Sequence, residues 1–425
     1  MRNKLITIIF IFIFLYPFYA SGQKLVNSPY ARFNLGLLEP AGSFRSMGMG
    51  GIGTSLRDNN SIYFSNPASY SSIDTNSFVF DFGLDYSINL LSDGDSRFFS
   101  DDMNFDHLMM GFPLTKRWGV ATGIVPISNG YYKISETVLE GDPGYDPLTG
   151  EYTSYHAGEG GLTSLFLGTG LNIARNFSLG VNMTILFGQI TRNNQYIFAD
   201  YYNVFHNNNT ERIHLNGINF DYGVQYAATI KKDYFFNAGA SFTSKKYYKS
   251  NYENLSVRYT AYSTKDTLSY SADSTKDLLP GTLRFGISFG KKNKFTAGID
   301  YISSSWSKAI IHGSEGYLAD TKSILFGVEI IPDKYSNYSF IKRIEYRLGG
   351  HIEDNYLIIN GEQIKEFGMS IGLGIPMPRS LSKTNLFFDF TKKSGSATNI
   401  HTENYFTMGV SLNLYDFWFL KHKFD

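Results

Sequence analysis

Ser77-Phe-Val-Phe-Asp-Phe-Gly-Leu-Asp-Tyr-Ser-Ile-Asn-Leu90 alternates without a break. Its even positions carry Phe78, Phe80, Phe82, Leu84, Tyr86, Ile88 and Leu90; the odd ones carry Ser77, Val79, Asp81, Gly83, Asp85, Ser87 and Asn89. Successive side chains on a strand point to opposite faces, so this is a strand with one greasy, aromatic face. The period returns in Phe177, Leu179, Val181, Met183, Ile185 and Phe187, set against Gly180, Asn182, Thr184 and Gly188. It returns again in Ile218, Phe220, Tyr222, Val224, Tyr226 and Ala228, set against Asn219, Asp221, Gly223 and Gln225. A soluble β-sandwich also alternates, so connection lengths must separate the two folds.

The pattern predicts fourteen strands: 77–90, 104–112, 118–127, 161–174, 177–190, 213–230, 235–246, 281–289, 294–303, 321–331, 342–351, 364–375, 384–392 and 403–413. Connections after even-numbered strands are mostly tight: Pro113–Arg117, Arg175–Asn176, Lys231–Tyr234 and Gly290–Asn293, with Pro332–Ile341 and Pro376–Lys383 longer. Those after odd-numbered strands are usually long: Leu91–Met103, Ser128–Gly160, Thr191–Arg212, Tyr247–Pro280, Ser304–Asp320, Ile352–Gln363 and Lys393–Thr402. Short turns on one side and long loops on the other mark an outer-membrane barrel with its turns in the periplasm. Closure also satisfies every backbone donor and acceptor inside lipid, which an open sheet cannot do. The expected fold is therefore all-β, a 14-stranded antiparallel transmembrane β-barrel. Parity then turns Leu283, Phe285, Ile287, Phe289, Ile324, Phe326, Val328 and Ile330 to lipid. It turns Asp81, Asp85, Asp221, Asp300, Glu329, Glu345, Arg347, Glu366 and Asp389 into a mostly acidic lumen.

Composition agrees. The chain has 425 residues, 18% charged, with 38 basic and 38 acidic side chains, 41 Gly, 31 Tyr, 36 Phe and no Cys. Lack of cysteine excludes a disulfide framework, thiolate metal sites and a cysteine nucleophile. Balanced charge leaves no basic footprint for nucleic acid. At the front, Arg2 and Lys4 precede an apolar run, Leu5–Phe18, and the small residues Ala20-Ser21-Gly22. This reads as a signal peptide over 1–22, with Gln23 the first mature residue. The expected organisation continues with a plug segment over 23–76, the barrel over 77–414 and a periplasmic tail over 415–425.

The segment 23–76 does not alternate. It holds Arg45-Ser-Met-Gly-Met-Gly-Gly-Ile-Gly53, then Asp58-Asn-Asn-Ser-Ile-Tyr-Phe-Ser-Asn-Pro-Ala68. A Gly-rich run (Gly48, Gly50, Gly51, Gly53), an Asp/Asn-rich start (Asp58 to Ser61), an aromatic pair (Tyr63, Phe64) and Asn66-Pro67-Ala68 follow one another. In this order they resemble the FadL-like family of outer-membrane transporters for hydrophobic compounds. That resemblance implies an N-terminal plug inside the lumen, capture of ligand (long-chain fatty acids or aromatic hydrocarbons) among extracellular loops, and sideways exit through a break in the wall. Secretion-system accessory barrels share a similar Asn-Pro-Ala start, so an accessory barrel of a secretion or outer-membrane assembly machine stands as the alternative. Asn66-Pro67 also fits an ordinary turn. A wall break needs a strand that cannot complete its ladder; the third strand, with Gly119, Gly123 and an amide-less Pro126, is the candidate, although Pro126 also fits as the strand's end. Arg45 and Arg57 are expected to pair with lumen carboxylates such as Asp81 or Asp85. The implied partners are outer-membrane lipid and a hydrophobic small molecule.

Several motifs imitate catalysis. Gly48-x-Gly50-x-x-Gly53 matches a dinucleotide fingerprint but lacks the preceding strand of a βαβ unit. Gly286-Ile-Ser288-Phe-Gly290 and Gly368-Met-Ser370-Ile-Gly372 match a nucleophile elbow, yet both lie inside period-two runs. The acidic stretch Asp93-Gly-Asp95 to Asp101-Asp102 and Asp106 fits either a calcium-binding loop or a solvated outer surface, and the eight histidines show no ligand spacing. No catalytic residue, metal or cofactor is assigned.

Overall fold

A computed structural model of the chain describes residues 28–40, 42–93, 96–199, 204–231, 233–260, 263–312, 318–378, 380–395 and 402–417. The expected signal peptide lies outside the described residues. Fourteen antiparallel strands close into a cylinder. They are β1 (Ser77–Asp93), β2 (Ser96–Thr115), β3 (Trp118–Asn129), β4 (Tyr152–Ala174), β5 (Phe177–Phe198), β6 (His206–Ile230) and β7 (Tyr234–Thr243). The circuit continues with β8 (Thr282–Lys291), β9 (Phe295–Ser304), β10 (Thr321–Ile330), β11 (Glu345–Ile359), β12 (Glu362–Pro376), β13 (Lys383–Ser394) and β14 (Thr402–Phe417). The seam pairs β14 with β1 from Thr402↔Ser92 to Phe417↔Ser77. β14 thus runs to Phe417, past the expected end at 414.

Parity holds around the wall. On β8, Leu283, Phe285, Ile287 and Phe289 are exposed while Ser288 is buried; on β10, Ile324, Phe326, Val328 and Ile330 are exposed while Glu329 is buried. A continuous apolar outer face on a closed barrel is what lipid requires, and the protein is an outer-membrane multi-pass β-barrel. No described helix is long and apolar enough to span a membrane.

The long connections are shorter than expected, because strands continue through them. β4 begins at Tyr152 and is extended by a neighbouring strand, Tyr132–Val138. A hairpin of Lys246–Thr260 and Ser263–Leu279 pairs with the first half of β6, where a loop is expected over 247–280. β11 and β12 are joined by Asn360-Gly361, both at positive φ (52° and 82°), the geometry of a tight hairpin turn. The physical reason is common to all three. Beyond the membrane both strand faces meet water, so runs such as Asn207-Asn-Asn209 stay extended without an apolar face, and hydropathy loses the period.

Residues 28–40 and 42–76 lie inside the cylinder, touching inward-facing positions all round it. They form a short helix, Phe44–Met47, and a 3-10 helix, Pro67–Ser72, with little other regular structure. Their apolar side chains join wall residues in three clusters: around Ile62, Tyr70 and Met109; around Met49, Ile52 and Leu325; and around Tyr30, Leu35, Trp306 and Tyr356.

Candidate functional site

Close seating of a backbone against a wall requires a wall without side chains. Ten consecutive strands, β3 to β12, each supply at least one glycine at the contact, among them Gly119, Gly170, Gly180, Gly223, Gly239, Gly286, Gly298, Gly327, Gly349 and Gly372. A Cβ on Gly119 would lie 2.0 Å from the Tyr70 carbonyl, on Gly180 2.3 Å from the Ala68 nitrogen, and on Gly349 2.1 Å from the Gly50 nitrogen. Gly83 on β1, Gly111 on β2 and Gly409 on β14 likewise back onto Phe44, Ile62 or Ile73. Only β13 differs: its Phe387 ring packs on Phe44 at 4.5 Å between centroids. This girdle was missed in the sequence, although its signal is present there as glycine recurring on the inward parity of strand after strand.

Asn66-Pro67-Ala68 is a helix start. The Asn66 side chain accepts from the Ala68 amide at 3.1 Å, and Pro67 takes the first helical position, where no donor is needed. The same side-chain amide donates to the carbonyls of Thr54 (2.8 Å), Val224 (3.1 Å) and Ala240 (3.3 Å). One residue therefore caps the helix and ties it to β6 and β7. Tyr63 and Phe64 pack in the clusters below the cavity, Phe64 against Phe166 at 4.7 Å.

Arg45 grips Glu329 with two bonds, 2.8 and 3.1 Å, and also contacts Asp58. Glu329 in turn accepts from Arg347 (2.7 Å), which contacts Glu345, and Glu345 pairs with Lys383 at 2.6 Å. Six alternating charges thus link the inner segment to β10, β11 and β13. Burial opposes charge on Asp58 and Arg45, but the facing partners outweigh it. Asp58 is held below the usual carboxylate range and Arg45 above the usual guanidinium value. The expected pairing of Arg45 and Arg57 with Asp81 or Asp85 is corrected here. Arg45 faces Glu329, across the lumen from β1. Arg57 bonds neutral acceptors, Ser71 Oγ at 2.9 Å and Gln225 Oε1 at 3.2 Å. Without a carboxylate, burial lowers Arg57 to about 10. Asp81 instead faces His107 Nε2 at 3.3 Å.

Gly53 lies where its amide and that of Thr54 donate to Asp300, at 2.8 and 2.7 Å. Gly48 and Gly50 pack against Gly372 and Gly350, and the Gly50 amide donates to Ser370 Oγ at 2.9 Å, so the fingerprint-like glycines serve contact with the wall. Ser288, the centre of one elbow-like motif, donates to the Ser55 carbonyl.

On β3, the ladder with β2 stops at Leu108↔Ile124, although both strands run on outward. Gly119 and Gly123 lie within the paired part; Pro126 lies in the unpaired part. Pairing with β4 continues there, with a bulge between Pro126 and Ser128. The free edge is filled from inside: Leu37 pairs with Asn129, Leu38 pairs with Ser128, and the Glu39 amide donates to the Ile127 carbonyl at 2.9 Å. A side pocket of about 240 Å³ opens at this gap, lined by Glu39, Asp85, Asn104, Asp106, Pro126 and Ser128.

Above the inner segment is a cavity of about 510 Å³. Leu35, Leu37, Ile127, Leu162, Leu186, Trp306 and Tyr356 line one flank; Asp85, Asp221, Asp300, Glu353, Glu366 and Asp389 line the rest. Glu345 and Arg347 are not in it, being buried in the charge network. Glu39 is open to the luminal space, yet enclosure by the barrel raises it to about 7, Lys393 pulling it down and Asp106 and Asp102 adding to the rise.

In fold the chain is similar to several solved structures. They include the Pseudomonas putida toluene transporter TodX (TM-score 0.59, 12% identity, covering 90% of this chain and 99% of that one). The CymD monoaromatic hydrocarbon channel gives a TM-score of 0.56 at 13% identity, covering 90% of this chain and 98% of that one. A Pseudomonas aeruginosa FadL homologue gives 0.57 at 12% identity, covering 89% and 99%. No curated protein matches the sequence. A family model does, from the first residue to the last: over residues 1–425 the match is to BamG, and the chain belongs to the BamG family.

Proposed function

We propose that the protein is a passive outer-membrane transporter of hydrophobic small molecules, with long-chain fatty acids or aromatic hydrocarbons as the first classes to test. Ligand enters the cavity from the outer loops and leaves sideways, between β2 and β3, when Leu37–Glu39 lifts from the β3 edge. Residues 23–76 act as the plug, with the motif residues from Arg45 to Ala68 holding it, and residues 1–22 direct export. The observation that carries this reading is the meeting of a half-apolar cavity with an unpaired length of wall sealed only from inside. A lateral exit suits an apolar cargo, which gains nothing by crossing a wet lumen. The names of TodX and CymD, a toluene transporter and a monoaromatic hydrocarbon channel, support the same class.

The test is a lock. Leu38→Cys with Ser128→Cys places two thiols at directly paired positions in a chain that has none of its own. Uptake of a hydrophobic tracer into proteoliposomes is expected to stop on oxidation and return on reduction. Uptake indifferent to the lock overturns the lateral route. The accessory reading has one observation in its favour: the turn from Ile331 to Ile344 exposes Tyr335, Tyr338 and Ile341 on the periplasmic side. Recovery of partner proteins with no retained hydrophobic molecule would select it.

A further inference from the structure

Each of the six periplasmic turns carries lysine or arginine, and only Asp233 and Asp333 oppose them there. Inside the barrel basic side chains are spent on carboxylates, as from Arg45 to Lys383. At this rim they are not. Among the described residues, Lys292, Lys294, Lys334, Lys342 and Arg343 make no ion pair.

Those five stand on two neighbouring turns that are bonded into one platform, 292–294 between β8 and β9 and 331–344 between β10 and β11. The Ile331 amide donates to the Lys294 carbonyl at 2.7 Å, and Lys294 Nζ donates to the Pro332 carbonyl at 2.7 Å. Lys334 Nζ donates to Asn293 Oδ1 at 3.0 Å, and the Asp333 amide to the Lys342 carbonyl at 2.8 Å. The single acid of the longer turn, Asp333, accepts from the Tyr335 amide at 3.3 Å. Lys292 and Lys342 are exposed. The Arg343 guanidinium lies 5.2 Å from the Phe340 ring centre, and its Nε is buried without a hydrogen-bond partner.

Unpaired cations beside exposed rings suit a lipid head group or an acidic protein, and the way the turn lies separates the two. Tyr346 is paired with Ile330, so it shares that residue's lipid-facing side, and its hydroxyl donates to the Ile341 carbonyl at 3.0 Å. The turn is therefore tied back to the outer face of the wall and does not reach across the mouth of the lumen. Tyr338 is fully exposed and Ile341 is 67% exposed, prolonging the apolar band where the strands end. Tyrosine favours the level of the head groups, and lysine and arginine there attract anionic lipid. A zwitterionic head brings its own ammonium to the site; an anionic head brings the counter-charge alone.

We propose that these two turns bind an anionic phospholipid of the periplasmic leaflet, its phosphate drawn to Lys292, Lys342 and Arg343 and its glycerol and upper chains against Tyr338 and Ile341. The inference is independent of what the lumen carries.

The experiment offers the purified full-length protein, in detergent, an equimolar mixture of phosphatidylglycerol and phosphatidylcholine with identical acyl chains, and native mass spectrometry counts the adducts. Phosphatidylglycerol is expected to exceed phosphatidylcholine about tenfold. The triple variant Lys292→Gln, Lys342→Gln, Arg343→Gln is expected to cut that ratio at least about threefold. A control on the outer hairpin, Lys246→Gln, Lys249→Gln, Lys276→Gln, is expected to leave it unchanged. A second measurement uses the absence of native cysteine: a solvent-sensitive dye on Ile341→Cys should report an apolar setting in phosphatidylglycerol nanodiscs. Equal retention of the two lipids, a ratio untouched by the triple variant, an equal loss in the control, or dye emission as in water overturns the proposal and leaves the turn to a partner protein.

Discussion

The two ends of the inner segment are held by different physics. From Arg45 to Ser72 the chain is fixed by charge and by close contact: the six-member network, the Asn66 amide and the glycine girdle. From Ser28 to Glu39 it is held by an apolar cluster and isolated hydrogen bonds, such as Tyr356 Oη donating to the Gly36 carbonyl at 2.5 Å. Directional, buried polar contacts fix one geometry, and a cluster of grease tolerates replacement by other grease. The first end is built to stay. The second is held by apolar contacts that another apolar group could replace.

Arg45→Ala should have the largest effect on this contrast. It leaves part-buried Asp58 without its cation and buried Glu329 with Arg347 alone, at a cost of about 3 kcal/mol to the seating of the inner segment. Planar-bilayer recordings should show large open-channel currents absent from the wild type, with the barrel still resistant to unfolding in detergent. Unchanged conductance would show that the network does not hold the segment. Gly180→Ala comes next. Its methyl would enter the Pro67–Ala68 backbone, at about 1–3 kcal/mol of overpacking. Limited proteolysis should then cut within residues 60–72, and resistance equal to the wild type's would show that this contact does not seat the helix.

Tyr356→Phe should act at the other end and less strongly, by about 0.5–1.5 kcal/mol for one lost hydrogen bond. Amide exchange is expected to speed up at Leu37–Glu39 and to stay unchanged near Arg45; a uniform change would mean the two ends are one cooperative unit. pH should give the smallest effect, with opposite signs. Asp58 lies below its ordinary 3.8, so its contribution is complete above that value and is lost as pH falls through its folded one. Glu39 lies at about 7 against an ordinary 4.5, so its contribution is complete below 4.5 and is lost as pH rises through 7. Between pH 8 and pH 5 the edge strand should therefore gain exchange protection, after correction for intrinsic rates, while the Arg45 region stays level. Loss of protection at Glu39 on acidification would contradict this.

The barrel was legible because lipid imposes a period on everything that touches it: Phe78 to Leu90 and Leu283 to Phe289 declare their faces without help from the rest of the chain. The same cause explains what stayed hidden. Where the wall leaves the membrane, as at 206–212 and 246–279, nothing enforces the period and strands read as loops. In the site, Asp300 and Glu329 were readable as inward, but not which inner residue meets them. That depends on the path of residues 28–76, whose turns are set by wall contacts and not by local propensity. Glu39, beside a short strand of two leucines, carried no local signal, and its importance comes from the unpaired edge of β3 that lies far away in sequence.

The girdle also bears on the order of events. Thirteen strands touch the inner segment through glycine, and the seam pairs β14 with β1 from Ser77 to Phe417. So close a fit predicts that the cylinder closes around contents already in place, and pulse-labelled amide exchange should show residues 44–72 protected no later than β14.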